Sequence, residues 1–340
     1  MTLSISDARA KDKPKRRWRW TWLVTLTRGL SGGRLGQILV PWKIERKLLG
    51  GRKMAVAYDP AKQYELKVWD IAYRHDPVRA LMARIYQPQG AGPFPTLLDV
   101  HGGAWNDQDR TANAPVDERL AASGILVVAI DVRLAKEAPY PASVEDANYG
   151  IRWLKSKASA WNGAPETLGA LGSSSGGHVL ELCAMRPHDP RYTVHPLSEA
   201  PHLDATLAYL VARSPISDPV ARYEQAQKMQ RASLITNSQT YFNPWDTIID
   251  ANPQRILERG EPVTLPPMFV LQGELDDNVL PAVQERFVAT YQAAGGEIDY
   301  EVFPGAEHRW IIQPGPQTDR AIEMIKAFIA RQLHARQPVG

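Results

Sequence analysis

The stretch Leu168-Gly169-Ala170-Leu171-Gly172-Ser173-Ser174-Ser175-Gly176-Gly177-His178-Val179-Leu180 decides how this chain is read. Its first four residues are a short apolar run, and its end is the start of a second, longer one. Leu168–Leu171 predicts a buried strand and Gly176–Met185 a helix. Between them, residues 172–176 fit G-x-S-x-G. Such a turn is so tight that the neighbours of the central serine must be small, and it lifts the Ser174 hydroxyl clear of the strand. The helix that follows points free N–H groups at the place where negative charge would develop. Five Ser/Gly residues alone could be an ordinary turn. The strand before them and the helix after them argue for a nucleophile, with Ser174 in the central position and Ser173 and Ser175 as its small neighbours.

Upstream, Thr96–Val100 is another short apolar run, read as a strand buried on both faces. His101-Gly102-Gly103-Ala104-Trp105 follows it directly. Adjacent glycines let backbone N–H groups approach a ligand without obstruction. The expected oxyanion hole is therefore built from Gly102 and Gly103 together with the N–H of Ser175. His101 is read as a prop for this loop.

Working outward, Lys67–Tyr73 and Ala80–Tyr86 predict a hairpin turning at His75–Pro77. Beyond it, strands at Ile125–Asp131, Ala205–Val211, Met268–Gln272 and Ile298–Phe303 alternate with helices at Val116–Ala122, Val144–Ser156, Ala282–Ala293 and Thr318–Gln332. The alternation predicts an α/β fold: a mostly parallel twisted sheet with helices on both faces. The interval from about 218 to 260 breaks the pattern. It is polar and helical, carries Tyr241, Phe242 and Trp245, and is read as a cap over the strand ends. The domain expectation is thus a basic N-terminal helical extension over 1–65, sharing in the cap, and a catalytic domain over 66–338.

Composition narrows the class. With 340 residues, 44% hydrophobic residues and a net charge of +3, the chain is an ordinary globular one. A single core of this size buries roughly 75% of the unfolded surface. The lone cysteine, Cys183, excludes an intrachain disulfide and reads as buried packing. No apolar run is long enough to span a bilayer. Lys11, Lys13, Lys15, Arg16, Arg17 and Arg19 crowd the N-terminus among Trp18, Trp20 and Trp22. That segment lacks the apolar core and cleavage site of a leader. It reads as an arm packed on the body, with weak contact to an anionic membrane surface as the sharper alternative. No nucleic-acid motif accompanies it, so no nucleic-acid partner is expected, and the expected location is cytoplasmic. A homodimer is left open. His188, His195 and His202 recur evenly, but Pro187, Pro190, Pro196 and Pro201 break any helix that would align them, so no metal site is expected.

HGGAW, the GSSSGGH turn, and Asp131-Val132-Arg133-Leu134-Ala135-Lys136-Glu137 with Pro139, Pro141, Ala142 and Asp146 together resemble the hormone-sensitive-lipase-like esterases. They resemble equally the related acetyl-esterases and feruloyl-esterase-like hydrolases. The likeness runs from about Val68 to Leu333. It departs at Val132 and Lys136, where the family usually has tyrosine and proline. It implies an α/β-hydrolase fold, a Ser-Asp-His triad and no cofactor. The triad members then follow in the order serine, acid, histidine. The family pattern places the acid three residues after Gly273, at Asp276, with Asp277 a near rival and Glu274 a distant one. The histidine loop Phe303-Pro304-Gly305-Ala306-Glu307-His308 supplies the base.

The expected activity is hydrolysis of small to medium acyl or aromatic esters through an acyl-enzyme. Trp105, Tyr241, Phe242, Trp245 and Trp310 are the expected pocket wall. Two other readings stand beside it. One is an amidase, carbamate hydrolase or arylformamidase on the same triad. The other is a non-catalytic ligand-binding relative, weakened by the presence of all three triad residues.

Overall fold

A computed structural model describes residues 56–335. The basic arm, with its expected helices, membrane contact and share in a cap, therefore lies outside the described residues up to position 55. Residues 56–65, the described end of that segment, are not helical. Asp59 caps a turn at Pro60 by accepting the Ala61 N–H (3.1 Å), and Tyr64 is held by the carbonyl of Ala122 (2.8 Å). Edge-on packing of Tyr64 against Phe94 pins this segment to the body.

The opening hairpin is β1 (Leu66–His75) and β2 (Ala80–Pro88), paired antiparallel. Then come β3 (Phe94–Val100), α1 (Ala114–Ala122), β4 (Leu126–Ile130), α2 (Ala142–Lys157), β5 (Gly163–Ser173) and α3 (Ser175–Met185). Next is β6 (Leu210–Arg213), followed by α4 (Pro219–Lys228), α5 (Ala232–Tyr241), α6 (Thr247–Asp250) and α7 (Pro253–Glu258). The described chain closes with β7 (Met268–Gly273), α8 (Pro281–Ala293), β8 (Ile298–Phe303) and α9 (Pro316–Ala335). The eight strands form one sheet in the order β1-β2-β4-β3-β5-β6-β7-β8. β2 meets β4 antiparallel, and every pairing from β4 to β8 is parallel.

Period-two alternation explains the two-sided burial. Leu126, Val128 and Ile130 of β4, with Met268 and Val270 of β7, face the layer of α2, α3 and α8. Val127 and Ala129, with Phe269 and Leu271, face α1 and α9 on the other side. α9 repeats Ile322, Ile325 and Ile329 at helical spacing, with Phe328 against Phe269 (5.5 Å between centroids).

β6 differs from its expected span of 205–211. It begins at Leu210 and runs on to Arg213. Asp204 accepts the Thr206 N–H (3.0 Å) and is tied to Lys155, so a turn takes up the start of the apolar run. The interval between β6 and β7 is helical. Asp218 caps α4, Asn252 caps α7, and the Asn252 side-chain amide donates to Asp218 (2.8 Å), which fastens the two ends of the insertion together.

Candidate active site

Parallel strands bring their C-terminal ends to one edge, and the functional loops all leave from there. Ser174 sits between β5 and α3 with φ 54° and ψ −115°. A non-glycine residue held in that region is strained, and its neighbours must keep it there. Gly176 shows how tightly they do so: a Cβ at this position would lie 2.2 Å from the Val100 carbonyl and 2.3 Å from that of His101. The elbow is thereby wedged against the loop that follows β3.

The loop after β8 carries His308, whose Nε2 lies 3.0 Å from Ser174 Oγ. Its Nδ1 lies 2.8 Å from Asp276 Oδ2. A carboxylate only accepts, so Nδ1–H donates to Asp276 and Nε2 is free to accept from the serine hydroxyl. Asp276 is itself fixed. Its Oδ1 accepts the N–H groups of Asn278 (3.0 Å) and Val279 (2.9 Å), and Gln272 Nε2 donates to Oδ2 (3.2 Å). Burial pushes this carboxyl up, but the hydrogen bond and charge of His308 and the Val279 N–H together hold it below the usual range. The rivals are engaged elsewhere. Asp277 has a side chain 57% exposed and pairs with Arg231, and Glu274 accepts the Gly305 N–H (2.8 Å).

Opposite the histidine lies the glycine loop. Gly103 has φ +96°, and a Cβ there would meet the Asp107 carbonyl at 2.1 Å, so only glycine fits. Among the described residues, nothing accepts from the backbone N–H of Gly102, Gly103 or Ser175. The Trp105 N–H donates to Ser175 Oγ (3.1 Å), which ties this loop to the start of α3. His101 is buried and its Nδ1–H donates to the Gly102 carbonyl (2.8 Å). Its pKa is lowered, first by burial, which favours the neutral ring of a structural prop.

A cavity of about 420 Å³ opens over Ser174 and His308. Its walls are more polar than apolar: Gln108, Arg213, Asn237, Asn278 and Arg309 line it beside Leu234 and Ile312, with Asn113 at its base. The expected aromatic wall is a correction. None of Trp105, Tyr241, Phe242, Trp245 or Trp310 lines this cavity. Trp105 and Tyr241 are buried and stacked (4.6 Å, 6° between planes), with Phe242 edge-on at 5.2 Å. Trp105 Nε1–H donates to His178 Nδ1 (3.2 Å), and His178 Nε2–H donates to the Ala251 carbonyl (2.7 Å). Burial lowers the His178 pKa to about 4, so this ring stays neutral. Trp310 packs on Phe303 (4.2 Å) beneath the histidine loop, and Trp245 is 41% exposed against Tyr223 (4.6 Å). The reason is area. Large rings beside a motif stabilise most by leaving water, and here they glue the insertion to the elbow.

The polar wall was missed in the sequence. Arg213 ends a strand expected to stop at Val211, and a charge closing a buried strand on the site side was the available signal. Asn113 and Asn278 carried none. Among the described residues no group of His, Cys, Asp and Glu is arranged to hold a metal ion. His195 instead lies beside Arg133 (3.3 Å) and Glu145 (3.4 Å). No helix among the described residues is long and apolar enough to cross a membrane.

Comparison with known proteins gives consistent neighbours. The family model described as BD-FAE matches residues 84–290. Esterase LipC of Mycobacterium tuberculosis is 27% identical over 268 residues, covering 78% of this chain and 64% of the relative. The probable carboxylic ester hydrolase LipM of the same organism is 26% identical, covering 73% of this chain and 57% of the relative. The chain thus spans less than two thirds of the length of these relatives. Among solved structures, propionate-bound Est2 of Thermogutta terrifontis superposes with a TM-score of 0.61 at 20% identity, covering 79% of this chain and 94% of that one. Esterase B of Lactobacillus rhamnosis gives 0.67 at 17% identity, covering 83% and 89%. At such identities the structural likeness speaks for the fold alone.

Proposed function

The chain belongs to the BD-FAE family and has the α/β-hydrolase fold, and from that premise we infer that it hydrolyses carboxylic esters with Ser174 as nucleophile. The observation that carries this reading is the unbroken relay Ser174 Oγ–His308 Nε2 (3.0 Å) and His308 Nδ1–Asp276 (2.8 Å). His308 takes the hydroxyl proton as Oγ attacks the ester carbonyl. Asp276 keeps the imidazole in the required tautomer and stabilises the imidazolium that forms. Charge developing on the carbonyl oxygen meets the unengaged N–H groups of Gly102, Gly103 and Ser175. The proton on His308 then leaves with the alcohol. Water, deprotonated by the same histidine, splits the acyl-enzyme to acid and free serine.

The segment α4–α7 acts as a cap in this reading. Its helix α5 contributes Ser233, Leu234 and Asn237 to the cavity, so it shapes the space over the nucleophile. With polar walls and about 420 Å³, that space suits short and hydrophilic esters.

Treatment with a fluorophosphonate, followed by intact mass, tests the nucleophile. One adduct that disappears in Ser174→Ala is the expected result. Persistence of the adduct in that variant, or none in the wild type, contradicts the assignment.

A further inference from the structure

Arg213 is a buried cation that no carboxylate of the described residues touches. Its backbone carbonyl accepts the Ser174 N–H (2.9 Å), so it is tied to the nucleophile itself. Its side chain donates from Nε to Ser173 Oγ (3.0 Å) and from Nη2 to Asn113 Oδ1 (3.3 Å). Nη1 has no acceptor among the described residues, yet the residue is only 9% exposed and lines the catalytic cavity. No carboxylate of the described residues lies within 4.0 Å of it.

The nearby acids Asp99, Asp276 and Asp117 favour the charged form of Arg213, but only from beyond pairing distance. Burial pushes the Asp99 carboxyl up to about 7 and that of Asp117 well above its usual range, so neither is a full negative charge at neutral pH. Asp276 is committed to His308, Gln272 and two N–H groups. Burial lowers the pKa of Arg213 to about 10, so it is still charged at neutral pH.

A second guanidinium shares the cavity. Arg309 follows the base His308, is exposed, and makes no hydrogen bond or ion pair with the described residues through its side chain. Its charge is near enough to weaken the proton affinity of Arg213. Two like charges converging on one small space repel, and a charge withdrawn from water without a contacting partner is costly to keep. One anion between them relieves both. Among the described residues, the one acid on the cavity wall is the exposed Asp107, which disfavours a dianion more than a single charge.

We propose that the substrate is an ester bearing a carboxylate, held between Arg213 and Arg309 while its ester group lies on Ser174. This rests on the ester-hydrolase reading above. Two matched pairs test it: 4-nitrophenyl hydrogen adipate against its methyl ester, with the charge on the acid side, and 4-acetoxybenzoate against methyl 4-acetoxybenzoate, with the charge on the alcohol side. In at least one pair the charged ester is favoured about ten-fold in kcat/KM, through a lower KM. That preference falls in Arg309→Gln and is lost in Arg213→Gln; the first, at an exposed position, keeps the test valid if the second fails to fold. Equal or better use of the neutral ester in both pairs, or a preference unchanged in Arg309→Gln, overturns the proposal alone. No turnover of any of the four esters overturns the reading of Ser174 and this proposal with it.

Discussion

Two clusters flank the loop 101–105, and they differ in every respect that matters for a binding site. On one side, Trp105, Tyr241, Phe242 and His178 form a closed aromatic block. On the other, Gln108, Asn113, Arg213, Asn278 and Arg309 surround open space over Ser174. The block buries apolar area and has its polar atoms satisfied, within itself at Trp105–His178 and by Ala251 and Ser143 at its edges. The wall is polar but only partly engaged: Asn113 is spent on Asp99, Ser173 and Arg213, while Arg213 Nη1 and the Arg309 side chain have no partner among the described residues. Aromatic residues near a catalytic motif are therefore a poor guide to the substrate here, because their largest return comes from being out of water. The substrate would be read instead by the groups that the fold leaves unsatisfied.

Substitutions on the two sides separate these roles. The largest effect belongs to the relay. Asp276→Asn lowers kcat/KM on an activated ester by about 10³–10⁴-fold, since the histidine loses its tautomer and its counter-charge. Asp277→Asn, at a position engaged among the described residues by Arg231 alone, changes it by less than about two-fold. Comparable losses in both would erase the distinction between the two aspartates. A smaller effect, read in stability, belongs to the aromatic block. Trp105→Ala removes a ring stacked on Tyr241 and costs about 3–5 kcal/mol in urea unfolding. Trp245→Ala, at an exposed ring, costs at most about 0.5–1 kcal/mol. A stable Trp105→Ala would mean that the block does not hold the insertion to the elbow.

Much of this was readable from residue order. The strand–turn–helix around Ser174 and the glycine loop after β3 follow from sterics that tolerate few residue types, so their letters are informative. Alternating apolar runs gave the sheet and both helical layers for the same reason. The family resemblance drawn on those motifs agrees with the family that the chain belongs to. Three things were not readable. The start of β6 depends on a turn held by Lys155, 49 residues away in sequence from Asp204. Residues 56–65 lack the expected helix because Tyr64 and Tyr58 are fixed by tertiary contacts with Ala122 and Ser123. The polar wall is assembled from the end of β6, helix α5 and the loops after β3, β7 and β8, and asparagine or arginine in a loop carries no local signature of where it will point.

The measurement that tests the polar-cup account most directly is kcat/KM across 4-nitrophenyl esters from acetate to decanoate. A maximum at acetate to butyrate, with a steep fall beyond hexanoate, is the result this cavity predicts. A rate that keeps rising with chain length would mean that an apolar channel, such as the aromatic block would have to open, receives the acyl group.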